Sequence, residues 1–113
     1  ERLILERVLA DLGRARRAGR AVAGFVKVEQ MIAQQRAGLV VVADEADGDG
    51  LGKLSARGLP IARLGDATAL GGIFGRDQAV YAAVARDDAG GEFVQRIAVG
   101  AARWRGYRLN STG

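Results

Sequence analysis

Arginine and glycine recur through residues 12–25, LGRARRAGRAVAGF, where the end of a predicted helix leads into a short strand and a second helix start. Basic side chains such as Arg17 and Arg20 attract phosphate regardless of base sequence. Gly24 precedes the second helix, whose first backbone N–H groups carry a partial positive charge and can donate to a polar ligand. The segment therefore favours binding of a polyanion, and of RNA in particular.

The same arginines also fit a purely structural role. Arg14, Arg16 and Arg17 lie in the last turn of the first predicted helix, where cations stabilise the negative end of the helix dipole. Gly19 follows at the position of a C′ cap, which glycine fills readily because it adopts a positive φ. Both interpretations stay open for these residues.

The chain has 113 residues, of which 49% are hydrophobic, and this is the usual size of one domain with a single core. Its formal net charge is +4 and its pI is near 10.3. Arginine accounts for 15 of the 17 basic residues, and it binds phosphate and stacks on bases better than lysine. Four acidic residues lie within 44–49 and none follows Glu92, so both ends are more basic than the average. This composition favours a nucleic-acid partner.

Cysteine and histidine are both absent, which removes disulfides, thiolate zinc sites, serine-type triads and the usual acid–base group at neutral pH. We therefore predict no catalytic residues, no metal site and no cofactor. No apolar run approaches the roughly 20 residues of a membrane span, and no signal peptide is recognised, so we expect a cytoplasmic protein without a membrane partner. The chain starts at Glu1 and its only methionine is Met31, which we interpret as a fragment of a longer protein with a further N-terminal domain.

Hydrophobic periodicity predicts helices that alternate with short strands. The five-residue apolar run at 39–43 is typical of a strand that is buried on both faces of a sheet. The four predicted strands are residues 20–24, 39–43, 60–64 and 79–85.

The order of these elements predicts an α/β fold, a three-layer α-β-α sandwich with a four-stranded mixed sheet. Gly38 is expected to close the second helix, and Asp66 to cap the helix that follows the third strand. A turn is expected at 87–91. We predict one domain over residues 1–105 and a flexible tail at 106–113.

An acidic, glycine-rich segment, DEADGDGLG, follows the strand at 39–43 and precedes a short, weak helix. A nucleotide-binding turn is one interpretation, but four carboxylates would repel a pyrophosphate, and no G-x-x-x-x-G-K-[ST] loop accompanies the DEAD letters. A calcium loop counted from Asp47 has Gly58 at its twelfth position instead of glutamate. Acids ahead of a helix more commonly serve as caps and dipole partners, and we prefer that interpretation.

Two further clusters have both a structural and a functional interpretation. Gly71, Gly72 and Gly75 fall late in a predicted helix, where they permit close packing and a sharp exit. Near the C-terminus arginines alternate with Trp104 and Tyr107, a composition able to follow a strand of RNA. Because Trp104 continues the apolar stripe of its helix, a core position is the preferred interpretation.

Taken in order, the segments LGRARRAGRAVAGF, GLVVVADEADGDG and LPIARLGDATALGGIFGRDQAVYAAVA resemble the kink-turn-binding ribosomal-protein superfamily, the L-seven-Ae and L-thirty-e proteins, over roughly residues 3–99. The likeness is greatest to its bacterial YlxQ-like branch. Some bacterial relatives carry this domain after a small basic domain of the YlxR type. The resemblance implies a non-enzymatic RNA-binding domain that associates with ribosomal or other structured RNA.

In that superfamily RNA is held at the start of the helix after the first strand and by the loop before the last strand. The resemblance places Gly24 where the RNA backbone approaches the helix, and it places Arg76 against an extruded nucleotide. The complete set of predicted RNA-binding residues is Arg17, Arg20, Gly24, Lys27, Gln30, Gln34, Gly75, Arg76 and Gln78.

In the predicted helix that follows Gly24, three positions differ from the residues that relatives often carry. Val26 stands where asparagine or lysine is common, Lys27 where glutamate is common, and Gln30 where lysine is common. A second hypothesis is therefore a protein-interaction or scaffold module that kept the fold and lost the RNA site. A third hypothesis, a nucleotide-binding enzyme that uses the acidic segment, is the least favoured.

Overall fold

The computed structural model describes residues 2–88 and 92–112 of the chain. Helices and strands alternate along these residues, as the hydrophobic pattern predicts. The elements are α1 (Arg2–Arg17), β1 (Ala21–Ala23), α2 (Phe25–Ala33), β2 (Ala37–Val42), α3 (Gly48–Ser55), β3 (Ile61–Arg63), α4 (Ala67–Ile73), β4 (Tyr81–Ala85) and α5 (Phe93–Thr112).

The strands form one mixed sheet in the order β1-β4-β2-β3. β4 is antiparallel to both of its neighbours, whereas β2 and β3 are parallel. The register pairs Ala23 with Ala82 and Val42 with Tyr81, so the end of β1, the start of β4 and the end of β2 lie together. We call this the Tyr81 end of the sheet.

Helices cover both faces of the sheet. α1, α4 and α5 pack on one face, and α2 and α3 pack on the other. In β2, Leu39 and Val41 belong to the first core cluster while Val40 and Val42 belong to the second. Because successive strand residues point to opposite faces, only a continuous apolar run can be buried on both. The α/β class and the three-layer α-β-α sandwich with a four-stranded mixed sheet are confirmed.

The end of α1 has the cap that its sequence predicts. Gly19 has a φ of +74°, and its N–H donates to the Arg16 carbonyl at 2.9 Å. The Arg20 N–H donates to the Ala15 carbonyl at 2.8 Å. These two bonds are the Schellman arrangement, which leaves glycine at C′ and turns the chain directly into β1.

The predicted end of the second helix is wrong. α2 ends at Ala33, and the residue with positive φ after it is Gln35, at +59°. Gly38 lies inside β2, where the register with β4 is irregular. A Cβ at Gly38 would lie 2.7 Å from the Arg86 Cα, so glycine is required there for the close approach of two strands and not for a helix cap.

α5 contains the core position expected for Trp104, which is 4% exposed and belongs to the first core cluster. Its helical backbone continues to Thr112, across most of the segment 106–113 for which a tail is predicted. The domain limit at 105 and the flexibility of that segment stay predictions. The Tyr107 side chain and Gly113 lie outside the described residues, so no contact tests the RNA-following interpretation of this aromatic.

The predicted turn at 87–91 is described only as far as residue 88. The Asp87 carboxylate accepts from the N–H groups of Val94 at 2.8 Å and Gln95 at 3.2 Å, and therefore caps the start of α5. Among the helices of the described residues, none has both the length and the apolar character needed to cross a membrane.

Candidate functional site

The start of α2 presents backbone donors that the protein itself leaves unused. Gly24 is the N-cap, its N–H donates to the Tyr81 carbonyl at 2.9 Å, and its carbonyl accepts from Val28 at 2.9 Å. No side chain caps this helix, and within the described part of the chain the N–H groups of residues 25–27 have no acceptor. Three donors and the positive end of the helix dipole are thus directed at whatever approaches Gly24.

Two of the other helix starts have side-chain acceptors, whereas α3 resembles α2 in that its N-cap residue, Asp47, makes no side-chain cap hydrogen bond. At α4, the Asp66 carboxylate accepts from the Ala69 N–H at 2.7 Å, as predicted, and the Glu45 carboxylate accepts from the Ala67 N–H at 2.9 Å. At α5 the Asp87 carboxylate accepts from the Val94 N–H. α2 therefore differs from α4 and α5, whose first N–H groups already have carboxylate acceptors.

The loop between α4 and β4 is shaped by two glycines. Gly75 has a φ of +69°, and the Arg76 N–H donates to the Gly71 carbonyl at 2.9 Å, so this helix also ends in a Schellman arrangement. A Cβ at Gly71 would lie 2.7 Å from the Gln78 Cα, which shows how closely the returning chain packs on α4. The close packing and the sharp exit predicted for these residues are confirmed, whereas Gly72 has no atom near its Cβ position and lies open.

Arg76 joins the loop to the start of α2. Its Nη2 donates to the Ala23 carbonyl at 3.2 Å, and its Nη1 lies 3.2 Å from the place that a Cβ of Gly24 would occupy. The planar guanidinium thus packs against the backbone of the glycine, where a Cβ would crowd it. Because β1 pairs with β4, the two segments that the sequence predicts as RNA-binding meet at the Tyr81 end of the sheet.

Arg16 adds a second guanidinium to this loop and was not among the predicted site residues. Its Nη1 donates to the Ile73 carbonyl at 3.1 Å, at the last turn of α4, and Gly75 lies beside it. The sequence pattern assigns Arg16 to the end of its own helix, while the structure shows that it caps the end of a different one. Around the start of α2 and the loop at 75–78, Lys27, Arg76 and Arg16 contribute positive charge and Asp77 contributes negative charge. The acidic segment at 44–49 follows β2 at the same end of the sheet.

The predicted residues on α2 share one exposed side of the helix. Lys27, Gln30 and Gln34 are exposed, and their spacings of three and four residues place them one above another. Val26, next to Lys27, is 67% exposed and therefore presents an apolar side chain to solvent on this helix. The Gln34 Oε1 accepts from Arg36 at 3.3 Å. Lys27 lies nearest to Gly24, and Gln34 lies at the far end of the helix.

Two predicted residues are not brought to this surface. Arg20 precedes β1, so it lies at the opposite end of the sheet, where its guanidinium donates to the Arg86 carbonyl and forms an ion pair with Asp88 at 3.4 Å. The Arg17 guanidinium lies near Gly13, one turn back along α1. The predicted residues that the structure groups together are Gly24, Lys27, Gly75, Arg76 and Gln78, with Gln30 and Gln34 farther along α2.

The acidic segment is folded around a side chain that the sequence analysis did not single out. Arg63 Nη1 lies within hydrogen-bonding distance of three carbonyl oxygens, those of Ala43 at 3.0 Å, Asp44 at 2.8 Å and Ala46 at 3.2 Å. Glu45 also caps α4, so the residues of the DEAD sequence at 44–47 have a structural role. In the part of the chain that is described, no group of three or more acidic side chains is arranged to hold a metal ion.

Comparisons with known proteins support the architecture. No family model and no curated protein matches the sequence. The structure superposes on a protein of unknown function from Bacillus halodurans C with a TM-score of 0.71 and 25% identity, covering 84% of this chain and 96% of that chain. It also superposes on the Giardia lamblia 15.5kD RNA binding protein with a TM-score of 0.67 and 22% identity, covering 91% and 90% respectively. The sandwich is thus shared, over nearly the whole length, with a protein that binds RNA.

Proposed function

We propose that this chain is a non-enzymatic RNA-binding domain that holds structured RNA against the start of α2 and the loop at 75–78. The observation that carries the proposal is the packing of the Arg76 guanidinium on Gly24, because it combines a cation, a glycine and uncapped helix donors in one place. The fold that this chain shares with the Giardia RNA-binding protein supports the same conclusion.

The chemistry of this surface suits RNA better than a small anion. Backbone N–H groups at residues 25–27 can donate to phosphate or to base edges, and Gly24 has no Cβ to obstruct a close approach. Arg76 offers both charge and a stacking plane for an unpaired base. The exposed valine at 26 and the glutamines at 30 and 34 extend the surface along α2 with apolar and hydrogen-bonding contacts.

The resemblance to kink-turn-binding ribosomal proteins narrows the proposal further. We propose that the RNA is sharply bent and structured, of ribosomal or comparable origin, and that backbone shape at Gly24 contributes more than base identity. We also propose that the domain acts in the cytoplasm, after an N-terminal basic domain in the full-length protein. The statements about the RNA rest on the resemblance and on the residue types at the site, and the N-terminal domain rests on the resemblance alone.

The test is a gel-shift series over salt concentrations with a kink-turn hairpin and a regular hairpin of equal length. Lys27→Glu and Arg76→Glu are each expected to weaken binding about tenfold. Each is also expected to reduce the slope of log affinity against log salt concentration by about 0.7–0.9 for every phosphate contact that is lost. Lys53→Glu, an equal charge change on the exposed side of α3, is the control and should change little.

Equal effects of all three variants would mean that only net charge matters, and they would contradict a localised site. Absence of RNA affinity, together with protein partners that persist after nuclease treatment, would favour the scaffold hypothesis. Preference for the bent hairpin over the regular one would support the narrower proposal.

A further inference from the structure

A groove runs between α1 and α5 on the face of the sandwich opposite to α2. The groove is open to solvent and has a volume of about 470 Å³, and its apolar lining comes from Ile4, Val8 and Val99. Gly100 allows the two helices to approach here, since a Cβ at that position would overlap the Val8 side chain. Val99, which lines the groove, is 54% exposed. The groove therefore has a small apolar floor that is partly open to solvent.

The two walls of the groove have the geometry of a helix pair. Lining residues recur at spacings of three and four along both helices, at 4, 7, 8 and 11 in α1 and at 95, 96, 99, 100 and 103 in α5, with residue 92 just before α5. α5 begins beside Asp88, which pairs with Arg20 just after α1, so the two helices run in opposite directions. Such a pair leaves a long trough into which a third helix can place its apolar side chains.

The charges along the groove are not balanced. Asp11 is already paired with Arg14, and Glu92 is already paired with Arg96 at 3.5 Å. Arg7 and Arg103 line the same groove, are exposed, and form no ion pair with any residue that the structure describes. The groove therefore offers two guanidinium groups beside an apolar floor, which is complementary to a ligand that is acidic and amphipathic.

We propose that this groove binds an acidic segment of another protein, folded as an amphipathic helix with apolar side chains at helical spacing. Its apolar side chains occupy the strip formed by Ile4, Val8 and Val99, and its carboxylates lie against Arg7 and Arg103. RNA fits the groove less well, because its phosphates gain nothing from an exposed aliphatic floor. Because α2 lies on the other face of the sheet, the groove is separate from the proposed RNA site.

The test is fluorescence anisotropy with a labelled synthetic peptide of about four helical turns, carrying leucine at spacings of three and four and glutamate elsewhere. Saturable binding is expected, and a peptide of the same composition with shuffled leucines should bind at least ~10-fold more weakly. The Val99→Glu variant and the double variant Arg7→Glu/Arg103→Glu should each lose at least ~10-fold in affinity. The matched control is Lys53→Glu/Arg57→Glu, two exposed positions in α3 and in the turn just after it, which should bind as the parent does.

No saturable binding, equal binding of the shuffled peptide, or an equal loss in the control variant would overturn the proposal. Displacement of the peptide by polyuridylate RNA, with the same dependence on Arg7 and Arg103, would also overturn it and assign the groove to RNA. Gel shifts with the hairpin RNA keep this outcome distinct from a failure of the proposed function, since the double groove variant and its control, which change the net charge equally, should have the same hairpin affinity.

Discussion

Gly24 and Arg76 depend on each other for their positions. The glycine has φ and ψ angles of 102° and 140°, a conformation that residues with a side chain rarely adopt. The guanidinium of Arg76 occupies the space beside it that a Cβ would need. A single side-chain atom at position 24 would therefore strain the backbone and push against the arginine at the same time.

We predict that Gly24→Ala lowers the free energy of unfolding by about 1–3 kcal/mol, because alanine must either adopt a disfavoured conformation or shift the start of α2. Urea denaturation measures this change. Gly52→Ala is the control, since Gly52 lies in α3 with nothing near its Cβ position and its replacement should be neutral or stabilising by about 0.4–1 kcal/mol. An equal loss in both variants would show that position 24 has no special conformational requirement.

At the scale of the elements, α4 contains two adjacent glycines, of which Gly71 is packed against the returning chain and Gly72 faces open space. We predict that Gly71→Ala destabilises the fold by about 1–3 kcal/mol, because its Cβ would meet the backbone of Gln78 and Ala79. Gly72→Ala should instead be neutral or stabilising by up to about 1 kcal/mol, since alanine favours the helix and meets no atom there. Thermal denaturation of the two variants is the measurement. A destabilised Gly72→Ala or a neutral Gly71→Ala would contradict the packing of this loop.

Most elements could be predicted from periodicity, because burial on both faces of the sheet demands a continuous apolar run such as 39–43. The end of α2 could not be predicted, because Gln35 adopts a left-handed conformation that is uncommon for glutamine. Gly38 was predicted to end a helix, but glycine is also favoured where two strands approach closely, and that is its role here. At the site, Gly24 and Arg76 were predicted as individual residues. The bond from Arg16 to Ile73 was not, because it depends on how two helices that are distant in sequence cross.

For the whole molecule, the sheet separates two surfaces of different chemistry. One lies at the Tyr81 end, where α2, the loop at 75–78 and Arg16 bring together uncapped N–H groups and cations. The other is the groove between α1 and α5, with an apolar floor and two guanidinium groups without ion-pair partners in the described chain. On the two proposals made above, RNA and a protein partner occupy different surfaces of the domain.

The most direct test of the RNA-binding proposal is a titration of the isotope-labelled protein with the kink-turn hairpin, followed by backbone amide shifts in NMR spectra. We predict that the largest shifts fall at residues 24–28 and 75–78, because those amides line the surface where Arg76 packs on Gly24. Shifts confined to the acidic segment at 44–52 or to the groove of α1 and α5, with residues 24–28 unchanged, would contradict the account.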